Sequence, residues 1–261
     1  MLRYLWIALA LLLTACAPAT KPQPETLRLL SYNIHRGQGM DGKFDLERIA
    51  AVILAANPDF VALQEVDVGT KRSSGVDQAT ELARLTKMHV VFGEAMPFQG
   101  GQYGDAVLSR KKPIVSGSIA LPAAKDREPR VAAFATLKLS RGSFTFVGTH
   151  FDHMSDDKDR VWQATTLIEH WPRNSGDDVV LAGDFNAIPQ SRPMEIILEH
   201  FDDASASNPQ MTFYSVKPIK RIDWILYGPE KGWRVLESRV IDEKMASDHL
   251  PLLVVLEREG K

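Results

Sequence analysis

Residues 179–186 read Val-Val-Leu-Ala-Gly-Asp-Phe-Asn, and no other stretch constrains the fold as tightly. The aliphatic run, β-branched at its start, suits a strand buried in a pleated sheet. Gly183 leaves room for close approach of a backbone or a ligand. Asp184 and Asn186 follow at the strand's carboxyl end, and continued strand geometry points both side chains the same way. Open α/β sheets place their chemistry at that end. A carboxylate and a carboxamide there are costly unless a metal, a phosphate or an internal hydrogen bond satisfies them.

The rest of the chain repeats this pattern of short apolar runs ending in polar residues. Strand-like runs fall at 27–34, 60–65, 90–92, 105–109, 114–121, 132–139, 144–149, 222–227, 233–241 and 250–256. Helical spacing of apolar residues falls at 46–56, 77–88, 156–171 and from 192 or 193 to 199. Asp45 is placed to cap the first helix and Asn57-Pro58 to stop it. Residues 98–104 are expected to form a loop. A doubly wound parallel sheet would alternate strands and helices more regularly. Two packed sheets with helices outside fit better. No internal repeat is visible, although a two-sheet fold can hide a structural one.

With 261 residues the chain can build one large α/β domain or two small ones. Its formal net charge of -2 argues against a non-specific coat on nucleic acid but leaves room for a local basic groove. Arg3 followed by the apolar run 5–13 reads as an export signal, too short for a spanning helix of roughly 20 residues. Leu13-Thr-Ala-Cys16 resembles the bacterial lipobox, in which the cysteine is lipidated and becomes the new first residue. That resemblance implies a signal peptide over 1–15, a lipidated Cys16 and a flexible tether over 16–26. It also implies a membrane contact through the anchor, in the bacterial cell envelope. The absence of aspartate after Cys16 resembles outer-membrane sorting, on the periplasmic face, where a cell has two membranes. Cys16 is the single cysteine, so no internal disulfide can form. The domain over 27–261 is expected to be monomeric.

Gly37, Gly39 and Gly42 form a GxGxxG string after the first strand. In a dinucleotide fold those glycines open a helix directly, whereas helical spacing here begins only near Leu46. Read instead as a Walker-type loop, Gly37-x4-Gly42-Lys43 has Phe44 where Ser or Thr should meet magnesium. A plain mobile loop or the rim of a cleft is the expectation.

Asn33, Glu65, Tyr103, His150, Asp152, Asp184, Asn186, Asp223, Asp248 and His249 all fall at or near strand ends. One such residue is usually a satisfied cap. So many in equivalent places point to one shared cleft. The oxygen donors Glu65, Asp184, Asp248, Asn33 and Asn186 suit a hard cation, Mg2+ or Mn2+. No cysteine or HExxH string offers a zinc site. Magnesium normally binds through one or two carboxylates plus substrate phosphate, which suits phosphoryl chemistry.

The pieces Ser31-Tyr-Asn-Ile34, Leu63-Gln-Glu65, Tyr103 to Arg110, Glu128-Pro-Arg130, Gly148-Thr-His150, Gly183-Asp-Phe-Asn186, Arg221 to Leu226 and Ser247 to Pro251 occur in that order. The ordered set resembles the endonuclease/exonuclease/phosphatase superfamily of DNase I-like enzymes, over nearly the whole domain. The resemblance implies a four-layer α/β sandwich, two mainly antiparallel sheets flanked by helices. It implies that Glu65 is the principal metal ligand, with Asn33 beside it and Asp248 as a further metal or water contact. It implies that His249 is the catalytic histidine, oriented by Asp223, and that Asp184 aligns the attacking water. Asn186, Arg130 and Tyr103 would bind phosphate, and His150 would stabilise developing charge. The reaction implied is in-line attack of water on a phosphate ester, with the metal neutralising charge on the phosphoryl and leaving oxygens. Which group is the base stays open. Asp105 stands where the family often has Asn, and either alters phosphate contacts or faces a backbone amide. Asp152 would buttress His150, and His153 reads as a surface residue. Trp162, Trp171 and Trp224 read as core or half-buried packing.

The expected activity is metal-dependent hydrolysis of phosphate esters, with a phosphodiester favoured. Candidate substrates are extracellular DNA or RNA, phospholipid or sphingomyelin-type headgroups, and inositol phosphates. A non-catalytic binding lipoprotein on the same fold would be expected to lack metal ligands or the histidine, yet Glu65, Asp184, Asp223 and His249 are all present.

Overall fold

The computed structural model describes residues 25–140, 142–172, 178–228 and 232–258. The expected signal peptide, Cys16 and nearly all of the tether lie outside the described residues. Among the described residues no helix is long and apolar enough to cross a membrane.

The strands are β1 (Glu25–Asn33), β2 (Phe60–Val68), β3 (His89–Phe98), β4 (Gly101–Ser109), β5 (Val115–Leu121), β6 (Arg130–Lys138), β7 (Ser143–His150), β8 (Asp178–Asp184), β9 (Asp202–Asp203), β10 (Asp223–Tyr227), β11 (Trp233–Val240) and β12 (Leu252–Arg258). The helices are α1 (Leu46–Ala56), α2 (Gln78–Thr86), α3 (Lys158–His170) and α4 (Arg192–Leu198). One sheet runs β11-β12-β1-β2-β4-β3 and the other β5-β6-β7-β8-β10-β9. Each holds a single parallel pair, β1 with β2 and β7 with β8, and all its other pairings are antiparallel.

Strand alternation produces the layers. In β2, Phe60 and Ala62 face the second sheet, while Val61 and Leu63 face α1 and α2. In β8, Val180 and Ala182 face the first sheet, while Val179 and Leu181 face α3 and α4. Both strands are thus buried on both sides, which is why their sequences are continuously apolar rather than alternating. Phe60 packs between Phe144 and Phe146 at ring distances of 5.4 and 5.1 Å, near the middle of the inter-sheet layer. Its full burial contributes roughly 1.5–3 kcal/mol.

Local signals end the elements. The Asp45 carboxylate accepts from Arg48 N at the start of α1, and Asn57 closes it in the left-handed region at φ 49°. Asp77 caps α2 on Thr80 N, and Lys87 ends it at φ 57°, short of the expected end at 88. The expected loop over 98–104 is instead a hairpin between β3 and β4 that turns on Gln99 and Gly100, with φ of 46° and 86°. Paired positive φ values are the two-residue turn that matches strand twist. Gly101-Gln-Tyr-Gly104 carries no apolar alternation to announce the strand. Of the three tryptophans expected to pack, Trp171 and Trp224 are buried, but Trp162 lies exposed on α3, because its helix position turns away from the sheet.

The two sheets share one topology. A hairpin, a parallel pair joined by a crossover helix, and a further antiparallel pair recur in the same spatial order. This is the structural repeat that the sequence does not display. It brings the carboxyl ends of the parallel pairs together, with Asn33 beside Gln64 in one sheet and His150 beside Asp184 in the other.

Candidate active site

The cleft lies where those strand ends meet, with a cavity of about 330 Å³. Its walls carry Glu65, Tyr103, Arg130, His150, Asp184, Asn186, Asp248 and His249, all expected from the sequence. Asn33 and Asp223 lie buried behind them and reach the cleft through hydrogen bonds.

Backbone irregularities aim several of these side chains. In β2 the register with β4 shifts between Leu63 and Val66, so Gln64 and Glu65 together oppose Asp105. Glu65 takes φ 59° inside this bulge. Bulges re-aim side chains and are common beside active sites. The strand therefore continues past Glu65 to Val68 rather than stopping there. At the end of β8, a Cβ on Gly183 would lie 1.9 Å from the Thr149 carbonyl oxygen, so only glycine lets β7 and β8 approach. Asn186 then turns at φ 47°.

Asp184 is the hub. Its Oδ2 accepts from Asn33 Nδ2 at 3.2 Å and lies 3.4 Å from His150 Nε2 and 3.6 Å from His249 Nε2. Its Oδ1 accepts from Asn186 N. Asn33 Nδ2 also donates to Glu65 Oε1 at 3.2 Å, while its Oδ1 accepts from His35 N. Burial pushes the Asp184 carboxyl up to about 7, against the opposing His249 charge.

His249 Nδ1 donates to Asp223 Oδ2 at 2.9 Å, and both are buried. Burial alone would lower this imidazole. The carboxylates of Asp223 and then Asp184 outweigh it and hold the pKa up to about 10. Phe213 packs on the His249 ring at 4.7 Å and fixes its plane. Ser247 Oγ donates to the Asn33 carbonyl and ties the loop before His249 to the end of β1.

His150 is the opposite case. Arg130 Nη1 lies 3.2 Å from its Nδ1, and a guanidinium has no acceptor. Nδ1 accepts from it, which places the neutral ring's proton on Nε2, where Asn186 Nδ2 at 3.0 Å competes for the same nitrogen. Burial and then the Arg130 charge hold this imidazole well below its ordinary pKa, as the neutral form. One histidine is a cation and the other a neutral donor, a division of roles set by environment.

Arg130 Nη2 also donates to His153 Nδ1 at 3.0 Å, and Nη1 meets Glu128 Oε1 at 2.9 Å. His153 is exposed, as expected, yet it lines the cleft. Asp152 does not buttress His150. It accepts from Met154 N and faces Arg127, because the chain turns directly after β7 and Arg130 takes the place beside the ring. Asp105 is buried and accepts from the His150 backbone N–H, the second of its two expected roles. Tyr103 hydrogen-bonds Arg130 and lies almost fully buried.

Asp184, Asp223 and His249 bring one ligand atom each within 4.8 Å of one another, a cluster able to hold a metal ion. Asp223 Oδ1 is buried with no partner among the described residues. The oxygen-rich surroundings fit a hard divalent cation. The sequence reading missed Arg72, Met96, Phe98 and Phe213 on the cleft wall. Phe213 falls in a segment without periodicity, and Phe98 falls in the hairpin mistaken for a loop.

The geometry is that of a phosphoryl-transfer site on a DNase I-like sandwich. The chain belongs to the Endonuclease/Exonuclease/phosphatase family, whose profile matches residues 30–249. Its fold is similar to an endonuclease/exonuclease/phosphatase of Beutenbergia cavernae, at 24% identity and TM-score 0.72, covering 89% of this chain and 72% of that one. It is similar to a family protein of Bacteroides thetaiotaomicron, at 20% identity and TM-score 0.76, covering 91% and 100%. A mannosyl-6-phosphatase of the same organism matches at 20% identity and TM-score 0.73, covering 88% and 99%. The fold, the family and the metal-binding cluster make this chain a metal-dependent phosphoesterase.

Proposed function

We propose that the chain hydrolyses a phosphodiester by in-line attack of water, with Asp184 as the proton acceptor. The observation that carries this reading is Asp184 Oδ2, set among Asn33, His150 and His249 at distances of 3.2 to 3.6 Å. A carboxyl raised to about 7 is matched to proton transfer near neutral pH. His249, held in its cationic form by its carboxylate neighbours, is the poorer base. It places positive charge toward the phosphoryl group and is oriented by Asp223. Neutral His150 donates Nε2–H to a phosphoryl oxygen. Arg130 holds its tautomer and, with Tyr103 and Asn186, lines the phosphate position.

Glu65, Asn33 and Asp248 are the proposed metal residues, and Mg2+ or Mn2+ the proposed ion. Bound there, the cation supplies neutralisation of phosphoryl charge.

A phosphomonoester is the second reading. The small cleft and the fold likeness to a mannosyl-6-phosphatase favour it. The purified chain should be assayed on bis-p-nitrophenyl phosphate, p-nitrophenyl phosphate, phospholipids, inositol phosphates, RNA and plasmid DNA, with Mg2+, Mn2+ or EDTA. Turnover lost in EDTA and in His249→Ala supports the reading, and the preferred ester class decides between diester and monoester. Turnover equal in His249→Ala and wild type sinks it.

Lipidation of Cys16 and an envelope location are proposed from Leu13-Thr-Ala-Cys16 alone. Labelling with a fatty-acid alkyne should mark the wild type and not Cys16→Ser; equal labelling refutes the anchor.

A further inference from the structure

The glycine-rich loop after β1 is not used by the chemistry above, yet it faces a second cavity. This cavity measures about 510 Å³ and is lined by Arg36, Gln38, Gly42, Phe44 and Arg72. Arg72 also lines the catalytic cleft, so its side chain borders both spaces. Among the described residues no carboxylate lines the second cavity.

Arg72 is held rigidly. Its Nε and Nη2 donate to the Asp67 carboxylate at 2.7 and 2.8 Å, in a fork geometry. Thr70 and Ser73 hydroxyls donate to the same buried carboxylate. The guanidinium lies over Phe98 and Tyr103, at 4.5 and 5.2 Å from the ring centres. Its Nη1 has no hydrogen-bond partner among the described residues. Asp67 offsets the charge of Arg72, so Arg72 offers a fixed donor, and Arg36, with no ion pair among the described residues, offers the uncompensated charge.

Arg36 is positioned by the same network. Gln78 donates to the Arg36 carbonyl at 2.7 Å and to Ser73 Oγ, and accepts from Asp67 N. Arg36 Nη2 donates to Gln38 Oε1, and the Arg36 backbone sits at φ 49°. The loop and the Arg72 platform are thus tied to one buried carboxylate.

We propose that this second cavity is a binding subsite for a second phosphate group of the substrate, held by Arg36 and the free edge of Arg72. The proposal rests on the phosphoesterase reading of the adjacent cleft. Its consequence is selectivity: molecules with two phosphates on a short organic backbone bind better than those with one.

The probes are alkane-1,n-diol bisphosphates of increasing length, compared with the matching monophosphates as inhibitors of bis-p-nitrophenyl phosphate hydrolysis. One charge-assisted contact retained or lost changes affinity by about tenfold. In the wild type, at least one bisphosphate should inhibit about tenfold more tightly than its monophosphate. Arg36→Gln should reduce that ratio to about twofold or less. Arg72→Lys, which keeps charge but loses the fork, should reduce it as well. The ratio is internal to each variant, so a general loss of activity does not move it. No preference in the wild type, or the same preference in Arg36→Gln, overturns the subsite. Should the wild type hydrolyse nothing, the phosphoesterase reading fails, and calorimetric binding of the same bisphosphates still tests the subsite. A hexose bisphosphate and a 5′-phosphorylated dinucleotide then show whether a polyol or a nucleotide backbone carries the second phosphate, and preference for either supports the subsite.

Discussion

Replacing Asp223 with Asn tests the charge state assigned to His249 while keeping the shape of the site. The rise of the imidazole from its ordinary value to about 10 favours the cation by roughly 5 kcal/mol. Burial opposes that rise, and the carboxylates of Asp223 and Asp184 overcome it. Asp223, in direct contact at 2.9 Å, is the larger of the two. Its loss should forfeit at least half the effect, about 2–3 kcal/mol or more, and bring His249 down to titrate at about 8 or below. A group with a raised folded pKa is protonated up to that value, so the wild-type cation persists through pH 7 to 9, whereas the variant loses it there. The ratio kcat/KM of Asp223→Asn to wild type should therefore fall about tenfold between pH 7 and 9 and recover as pH drops toward 6. Asp184 shifts too, because the Asp223 charge raises its carboxyl, so the histidine is followed separately. Hydrolysis of bis-p-nitrophenyl phosphate across pH 5.5–9 gives the profile, and nitrogen NMR of the metal-free protein reports the histidine directly. A loss under about threefold with an unchanged profile would refute the reasoning.

Glu65→Gln should raise the Mg2+ concentration for half-maximal activity about 10- to 100-fold, measured by metal titration, because one charged donor is lost. His150→Ala should lower kcat about 100-fold, and adding acid should not restore it, since the group acts as a neutral donor. Gly183→Ala should cost more than about 3 kcal/mol in urea unfolding, because its Cβ falls 1.9 Å from Thr149 O and the parallel pair must separate. Asp105→Asn should change the pH dependence of stability. Burial raises the folded carboxyl well above its ordinary range, so the folded state binds the extra proton. Wild-type stability therefore falls as pH climbs from the unfolded pKa to the folded one, and the variant should lack that decline in urea titrations from pH 4 to 8.

Much of this was legible because a buried strand leaves a local mark. Residues 179–184 and 60–65 are packed on both faces, so their sequences are uninterrupted apolar runs with chemistry at the end. Asp45 announced its helix through a side chain that caps within three residues, and Asp77, expected inside its helix, caps α2 in the same way. The hairpin at 99–100 left no such mark, since Gln-Gly turns and Gly-Gln-Tyr-Gly strands owe their form to pairing with β3. The fork of Arg130 between His150 and His153 and the shelf of Phe213 under His249 are also non-local. No spacing along the chain encodes them.

The repeated topology explains why the site is where it is. A parallel pair needs a crossover, and α1 and α3 supply it on the outer faces, leaving both inner faces to pack against each other. The two pairs then end at one mouth. Equivalent positions have diverged in chemistry: Asn33 and Glu65 close one pair, His150 and Asp184 the other. Hydrogen bonds from Asn33 to both Glu65 and Asp184 join the halves. If that bridge sets the distance between them, Asn33→Ala should weaken metal binding and lower kcat together. Asn33→Asp would restore an oxygen but place a third negative charge between two carboxylates. It should bind Mg2+ more tightly than Asn33→Ala while raising the pH at which Asp184 ionises. A variant in which metal affinity and the pH profile move independently would show that the two halves of the cleft are not coupled through this residue.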